Sequence, residues 1–150
     1  MTIMKKMNIF LAALLCMMMQ TMSAVAHEKL ITTDKLPATA KAFVQQTFPG
    51  QMIEYAIIDA DFSKTTYEIC LNNGVEMEFD INGEWYMVDC NYDPVPQQLI
   101  PAVIANFVSA NYSDQTIVKI DKENGGYSID LSNDVEIKFD SNGQVIEVSD

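Results

Sequence analysis

The chain has 150 residues, 49% of them hydrophobic, and a formal net charge of −12 from 21 acidic side chains set against nine lysines and no arginine. An acidic chain without Lys and Arg clusters is repelled by phosphate backbones, so nucleic acids and anionic lipid surfaces are excluded as partners. The size suffices for one sizeable core, or for two small cores that share an interface.

The first segment is basic at Lys5 and Lys6 and then uninterruptedly apolar from Ile9 to Met19. Such a run, followed by Ser23-Ala24-Val25-Ala26 with its small-x-small spacing, predicts a secretory leader over 1–26 with cleavage before His27. Gln20 and Thr21 end the run below the roughly 20 residues that cross a bilayer. Cys16 follows Leu15 rather than the small residue that a lipoprotein signal carries at that place. The expected location is therefore periplasmic or extracellular, with Lys5 and Lys6 removed and all of the acidic residues retained.

A helix is predicted next, because Leu36, Ala40, Phe43, Val44 and Phe48 recur at helical spacing, Pro37 suits a first turn and Pro49-Gly50 stops it. After a first strand near 52–59 the period changes to two. Tyr67, Ile69 and Leu71 alternate with Glu68 and Cys70, and Val75, Met77 and Phe79 alternate with Glu76 and Glu78. Asn73-Gly74 and Asn82-Gly83 provide turns that tolerate positive φ, and a last strand is expected over 84–89. Pro94 and Pro96 mark a connection, after which the scheme recurs. Ile100-Pro101-Ala102 begins a second helix aligned with Leu36-Pro37-Ala38 and carrying Ile104, Phe107, Val108 and Tyr112. Tyr127, Ile129, Leu131, Val135, Ile137 and Phe139, ending in Asp140-Ser141-Asn142-Gly143, match the segment from Tyr67 to Gly83. The predicted fold class is α+β, a tandem repeat of a helix followed by a four-stranded antiparallel meander, with helices packed on one sheet face. Its two units would span 27–93 and 94–150.

A Leu-Pro-started helix ending near Phe-Pro-Gly, followed by a meander with Phe-Asp-x-Asn-Gly in its last hairpin, resembles the PepSY-like, β-lactamase-inhibitor-like proteins exported by Bacteroidetes. The resemblance covers both units. It implies a tandem α+β fold whose open sheet face meets another protein. The β-lactamase inhibitor carries a disulfide within each repeat, whereas Cys70 and Cys90 both fall in the first unit here.

No catalytic constellation is expected. The only histidine, His27, stands at the predicted mature terminus, so neither cysteine has a base to lower its pKa, and no cofactor motif is present. In a simple meander Cys70 and Cys90 lie two strands apart on opposite faces, roughly 9–10 Å apart and beyond disulfide reach. Asp80-Ile81-Asn82-Gly83-Glu84 and Asp140-Ser141-Asn142-Gly143 begin like calcium loops but lack the acid at the twelfth position, and read as hairpin turns. Glu76, Glu78 and Glu136 are placed on the open face. If Tyr86 and Val88 face the core like Ile146 and Val148, then Trp85 and Met87 point outward where the second unit has Val145 and Glu147. Trp85, Met87, Glu76 and Glu78 are thus the candidate contact patch for an envelope or secreted protein, since large apolar side chains anchor interfaces. The alternative is weak binding of calcium through surface carboxylates.

Overall fold

A computed structural model describes residues 28–150. The predicted leader, Cys16 and His27 lie outside the described residues. In chain order come β1 (Glu28–Ile31), a 3-10 turn (Thr33–Lys35), α1 (Ala38–Thr47), β2 (Ile53–Ala60), β3 (Thr65–Leu71), β4 (Glu76–Asp80) and β5 (Trp85–Asp89). A second 3-10 turn (Gln97–Leu99), α2 (Ala102–Asn111), β6 (Ile117–Glu123), β7 (Gly126–Leu131), β8 (Glu136–Phe139) and β9 (Val145–Ser149) follow.

The expected fold class, two tandem helix-plus-four-strand units, is corrected. All nine strands form one antiparallel sheet in the order of the sequence, and strand dominates over the two helices. Two pairings make the difference. β1, four residues long and ahead of the first helix, closes on β2 with Leu30 opposite Ile57 and Ile31 opposite Ala56. β5 pairs directly with β6, with Met87 opposite Asp121, Val88 opposite Ile120 and Asp89 opposite Lys119. An exposed strand edge offers a row of unpaired N–H and C=O groups, and joining the halves satisfies two such edges at once. The register also brings Lys119 against an acid and puts Ile120 over Val88.

One face of the sheet is apolar from side to side. A row of side chains runs through Ala56, Ile69, Met77, Val88, Ile120, Ile129 and Ile137, each buried, one from every strand between β2 and β8. Burying an isoleucine or valine side chain contributes roughly 1.5–3 kcal/mol before entropy is counted, so this row draws the strands of both halves into one sheet. Both helices lie on this face. α1 buries Ala40 and Val44, and its Phe43 meets Phe79 edge-on at 5.6 Å. α2 buries Ile104 and Val108, and its Phe107 meets Phe139 edge-on at 5.5 Å.

Pro37 and Pro101 stand one residue ahead of the predicted first turn, as N-caps whose carbonyls accept from Lys41 N–H at 3.2 Å and Ala105 N–H at 3.0 Å. The helix starts are pressed onto the β4–β5 and β8–β9 turns. Gly83, at φ +80°, lies so close to α1 that a Cβ would come 2.8 Å from Pro37 Cβ and 2.9 Å from Ala40 N. Only a residue without a side chain fits that approach. In each turn an aspartate organises the backbone: Asp80 Oδ1 accepts from Asn82 and Glu84 N–H at 2.9 Å, and Asp140 Oδ1 from Asn142 at 2.8 Å and Gln144 at 2.9 Å.

Immediately after these turns both halves carry a β-bulge, between Glu78 and Phe79 and again between Lys138 and Phe139. A bulge sets two residues of one strand against one of its partner and re-aims side chains. Phe79 faces Trp85 while Glu78 faces Met87, and likewise Phe139 faces Val145 while Lys138 faces Glu147.

Candidate functional site

The face opposite the helices is polar and open. Two rows cross it. One runs from Cys70 through Glu76, Asp89, Lys119 and Asp130 to Glu136, and the other from Ile57 through Glu68, Glu78, Met87, Asp121 and Ser128 to Lys138 and Glu147. The strict alternation of β3, β4, β7 and β8 produces these rows, because every residue between two core positions must point to this side.

Of the four predicted contact residues, Glu76, Glu78 and Met87 share this face and Trp85 does not. Trp85 is opposite Phe79, stacks on Phe43 of α1 at 5.9 Å with the planes 29° apart, and carries the Lys122 ammonium 3.6 Å from its ring centroid. Its outward orientation is therefore corrected. Parity counted back from Val88 fails at the bulge, which inserts one residue and turns Trp85 to the helix side. Tyr86, expected in the core, comes to the open face instead.

Tyr86 completes a recess of about 270 Å³ whose walls include Glu28, Asp59, Thr66, Glu68 and Glu78. The Lys64 ammonium lies 5.0 Å above its ring. Burial, followed by hydrogen bonding to Glu78 and the nearby negative charges, pushes the Tyr86 phenol well above its ordinary range. The Glu68 carboxyl is likewise raised, first by burial and then by Glu76 and Glu78, while the Tyr55 hydroxyl that donates to it at 3.3 Å works the other way. Tyr55 is itself raised, first by the Cys70 sulfur beside its hydroxyl and then by burial and the charges of Glu68 and Glu76. The run Trp85-Tyr86-Met87-Val88 has no polar residue to mark its alternation, and that uniformity was the one signal that its facing could not be read by parity.

The remainder of the face is chemically different. β3, β4 and β5 contain no lysine, whereas β6 and β8 bring Lys119 and Lys138 onto the face. Lys119 reaches Asp121 at 3.6 Å, and Lys138 reaches Glu147 at 3.3 Å and Glu136 at 3.8 Å. Burial opposes the charge on Lys119, but Asp121, Asp130 and Asp89 outweigh it and keep the group protonated above its usual range. Asp121 and Asp130 are both raised, mainly by burial, with Lys119 acting in the opposite sense. Ser128, a buried polar residue, donates its hydroxyl to Glu136 at 2.9 Å.

Cys70 and Cys90 are both free and buried, on opposite faces of the sheet. Burial and the neighbouring Asp89 and Asp93 raise the Cys90 thiol to about 11, so the thiolate is scarce at neutral pH. Among the described residues no three His, Cys, Asp or Glu side chains form a group that could hold a metal ion. None of the described helices is long and apolar enough to cross a membrane.

Residues 65–147 match the family described as "Putative beta-lactamase-inhibitor-like, PepSY-like". Among solved structures, a "putative calcium-regulated periplasmic protein" from Bacteroides thetaiotaomicron is 35% identical with a TM-score of 0.78, over 82% of this chain and 97% of that one. A "putative periplasmic protein" from Bacteroides vulgatus is 34% identical with a TM-score of 0.79, over 84% and 99%. A second Bacteroides vulgatus periplasmic protein, described as of unknown function, is 34% identical with a TM-score of 0.78, over 82% and 99%. No curated protein matches the chain significantly.

Proposed function

The chain belongs to the PepSY-like, β-lactamase-inhibitor-like family, and from that premise we propose that it is an exported, non-enzymatic protein-binding module of the periplasm or cell exterior. Its open sheet face meets an envelope or secreted protein. The observation that supports this reading is the composition of the face in the N-terminal half, where Glu68, Glu76, Glu78 and Asp89 surround Met87 and Tyr86 on strands without lysine. These carboxylates outnumber the cations beside them, Lys64 over Tyr86 and Lys119 opposite Asp89, and a basic surface relieves the remaining repulsion while Met87 and Tyr86 supply apolar contact. Trp85 backs the patch from the other face and holds β5 against α1.

The test pairs Glu78→Lys with Met87→Ala in one immobilised protein and compares it with wild type against an extracytoplasmic extract. A partner retained by the wild type should be lost from the double variant while both melt at the same temperature. Equal retention would refute the assignment to this face.

A second reading is favoured by the same carboxylates together with the description of the Bacteroides thetaiotaomicron relative as calcium-regulated. In it, calcium binds weakly across the acidic rows and modulates partner capture. Calcium at millimolar level should then raise the melting temperature of the wild type and not that of a Glu68→Gln, Glu78→Gln variant. An identical response in both proteins would remove the idea.

A further inference from the structure

The sheet is finished at one of two equivalent places. β5 and β9 are each five residues long, follow the same aspartate-organised turn and enter the sheet through the same bulge. The outer edge of β5 is covered by β6. Cys90 N–H donates to Val118 O at 2.9 Å, and by the two-residue alternation of an antiparallel ladder the Val88 N–H points toward β6 as well. Val88 is accordingly 0% exposed with Ile120 opposite it.

β9 is the last strand of the sheet, and no described strand covers its outer edge. Val148, the counterpart of Val88 and the end of the apolar row, is 49% exposed, and Ile146 is 65% exposed. Protected edges carry proline, lysine or other charges, a bulge, or a strand too short to pair; β9 has the bulge at its start and Glu147, but neither proline nor lysine, and past the bulge it is as long as the corresponding stretch of β5 that β6 covers. Ile146 is on the open side and Val148 on the helix side, so both flanks of the edge are apolar, with Glu147 between them.

We propose that the outer edge of β9 accepts an extended segment of a partner protein as a tenth antiparallel strand, with a β-branched apolar side chain opposite Val148 and a basic one opposite Glu147. The first requirement is taken from Ile120 opposite Val88. The second follows from charge: where β6 sets Asp121 against the neutral Met87, the incoming strand meets Glu147, which Lys138 holds at 3.3 Å from the inner side and which is open to a second cation on its outer side. Net charge argues against a second copy, because two chains that each bear −12 repel one another. This edge is separate from the acidic patch around Met87, so the two interactions can be broken one at a time.

The chain itself supplies the probe. A synthetic peptide of residues 115–123, which spans all of β6, is compared with the same peptide carrying Asp121→Lys, using fluorescence anisotropy and the backbone amide shifts of the intact protein. The lysine peptide should bind about fivefold more tightly than the parent, which corresponds to one good cross-strand charge pair, and should shift β9 amides first. Glu147→Lys should reverse the preference. Val148→Pro should abolish binding of both peptides, since it removes the outward N–H at an edge position where proline leaves the fold intact. The Glu78→Lys, Met87→Ala double variant should bind both peptides as the wild type does. Amide shifts confined to another part of the molecule, or a Glu147→Lys protein with unchanged preference, would overturn the proposal. Sedimentation velocity addresses the remaining occupant: a concentration-dependent dimer that Val148→Pro dissolves would assign the edge to a second copy and refute a basic heterologous strand.

Discussion

The N-terminal half (28–93) and the C-terminal half (94–150) place the same kinds of side chain on the helix-covered face and different ones on the open face. Phe43 on Phe79 is matched by Phe107 on Phe139 to within a tenth of an ångström in ring separation. Yet on the open face Tyr86 and Met87 stand where the second half has Ile146 and Glu147, and the lysines of β6 and β8 have no counterpart on β3 to β5. A core must fill a fixed volume, so its residues are held by packing. The open face carries no such constraint and is where the halves differ. That difference underlies the contact surface proposed for the first half; the edge proposed for the second is the outer side of β9, with β1 as the other border of the sheet.

The comparison can be broken most severely in the core. Phe79→Ala should cost about 4 kcal/mol, because Phe79 is wholly buried between Phe43 and Trp85 and the gap cannot close. Phe139→Ala should cost about 3 kcal/mol, because its cross-strand neighbour Val145 is 36% exposed and has room to settle inward. Urea titration of both variants checks the order, and equal losses would mean that Trp85 adds nothing to the first core.

The turns sharpen it next. An added Cβ at Gly83 meets Pro37 Cβ and the Ala40 backbone, whereas at Gly143 it meets Val103 Cγ1 and Cγ2, the methyl groups of an exposed side chain with no backbone among the contacts. Both positions have φ near +80°, which alone disfavours alanine by about 1–2 kcal/mol. Gly83→Ala should therefore lower stability by about 3 kcal/mol and Gly143→Ala by about half of that, with the contact difference as the remainder. Adding Val103→Ala should recover part of the loss at Gly143, and Thr39→Ala should recover none at Gly83.

Trp85→Val makes the first half resemble the second. It should cost about 1–2 kcal/mol, from the Phe43 stack and the Lys122 contact, and leave the open-face interaction intact. Thermal melting and partner capture measured on the same variant decide between a Trp85 that braces the sheet and one that touches the partner.

The smallest effect is electrostatic. Glu68, Asp121 and Asp130 all have native pKa values raised above the ordinary carboxylate range, so the folded chain binds protons more readily than the unfolded one. Stability should rise as pH falls from 7 into the window between those raised native values and the ordinary ones, and the gain is lost again as pH climbs back through the native values. Glu68→Gln should flatten the rise through the first half, and Asp130→Asn through the second. Melting curves at about pH 7 and about pH 5 test the sign.

Much of this arrangement was legible in the chain, and what was not has physical causes. Alternation in Tyr67-Glu68-Ile69 and Met77-Glu78-Phe79 identifies the inner and outer faces because burial on one side forces period two. The helical stripes and the Asn-Gly turns are equally local. β1 was not foreseen, since four residues beside the predicted leader carry too little pattern to declare a strand. The β5–β6 pairing depends on two edges distant in sequence, which no local period encodes. It was this pairing that turned two expected units into one sheet. Trp85 was assigned to the wrong face because the bulge is a property of the ladder and not of any residue within it. Glu76, Glu78 and Met87 fell on the face expected of them because their parity is counted on the near side of that irregularity.

β1 and β9 occupy opposite borders of the sheet, about 38 Å apart at ordinary strand spacing. A load applied at β1 and β9 therefore pulls across the ladder and not along it, so hydrogen bonds rupture a few at a time from the margins inward. The molecule would give way gradually at low force, as a zipper does, and its central strands would be the last to part.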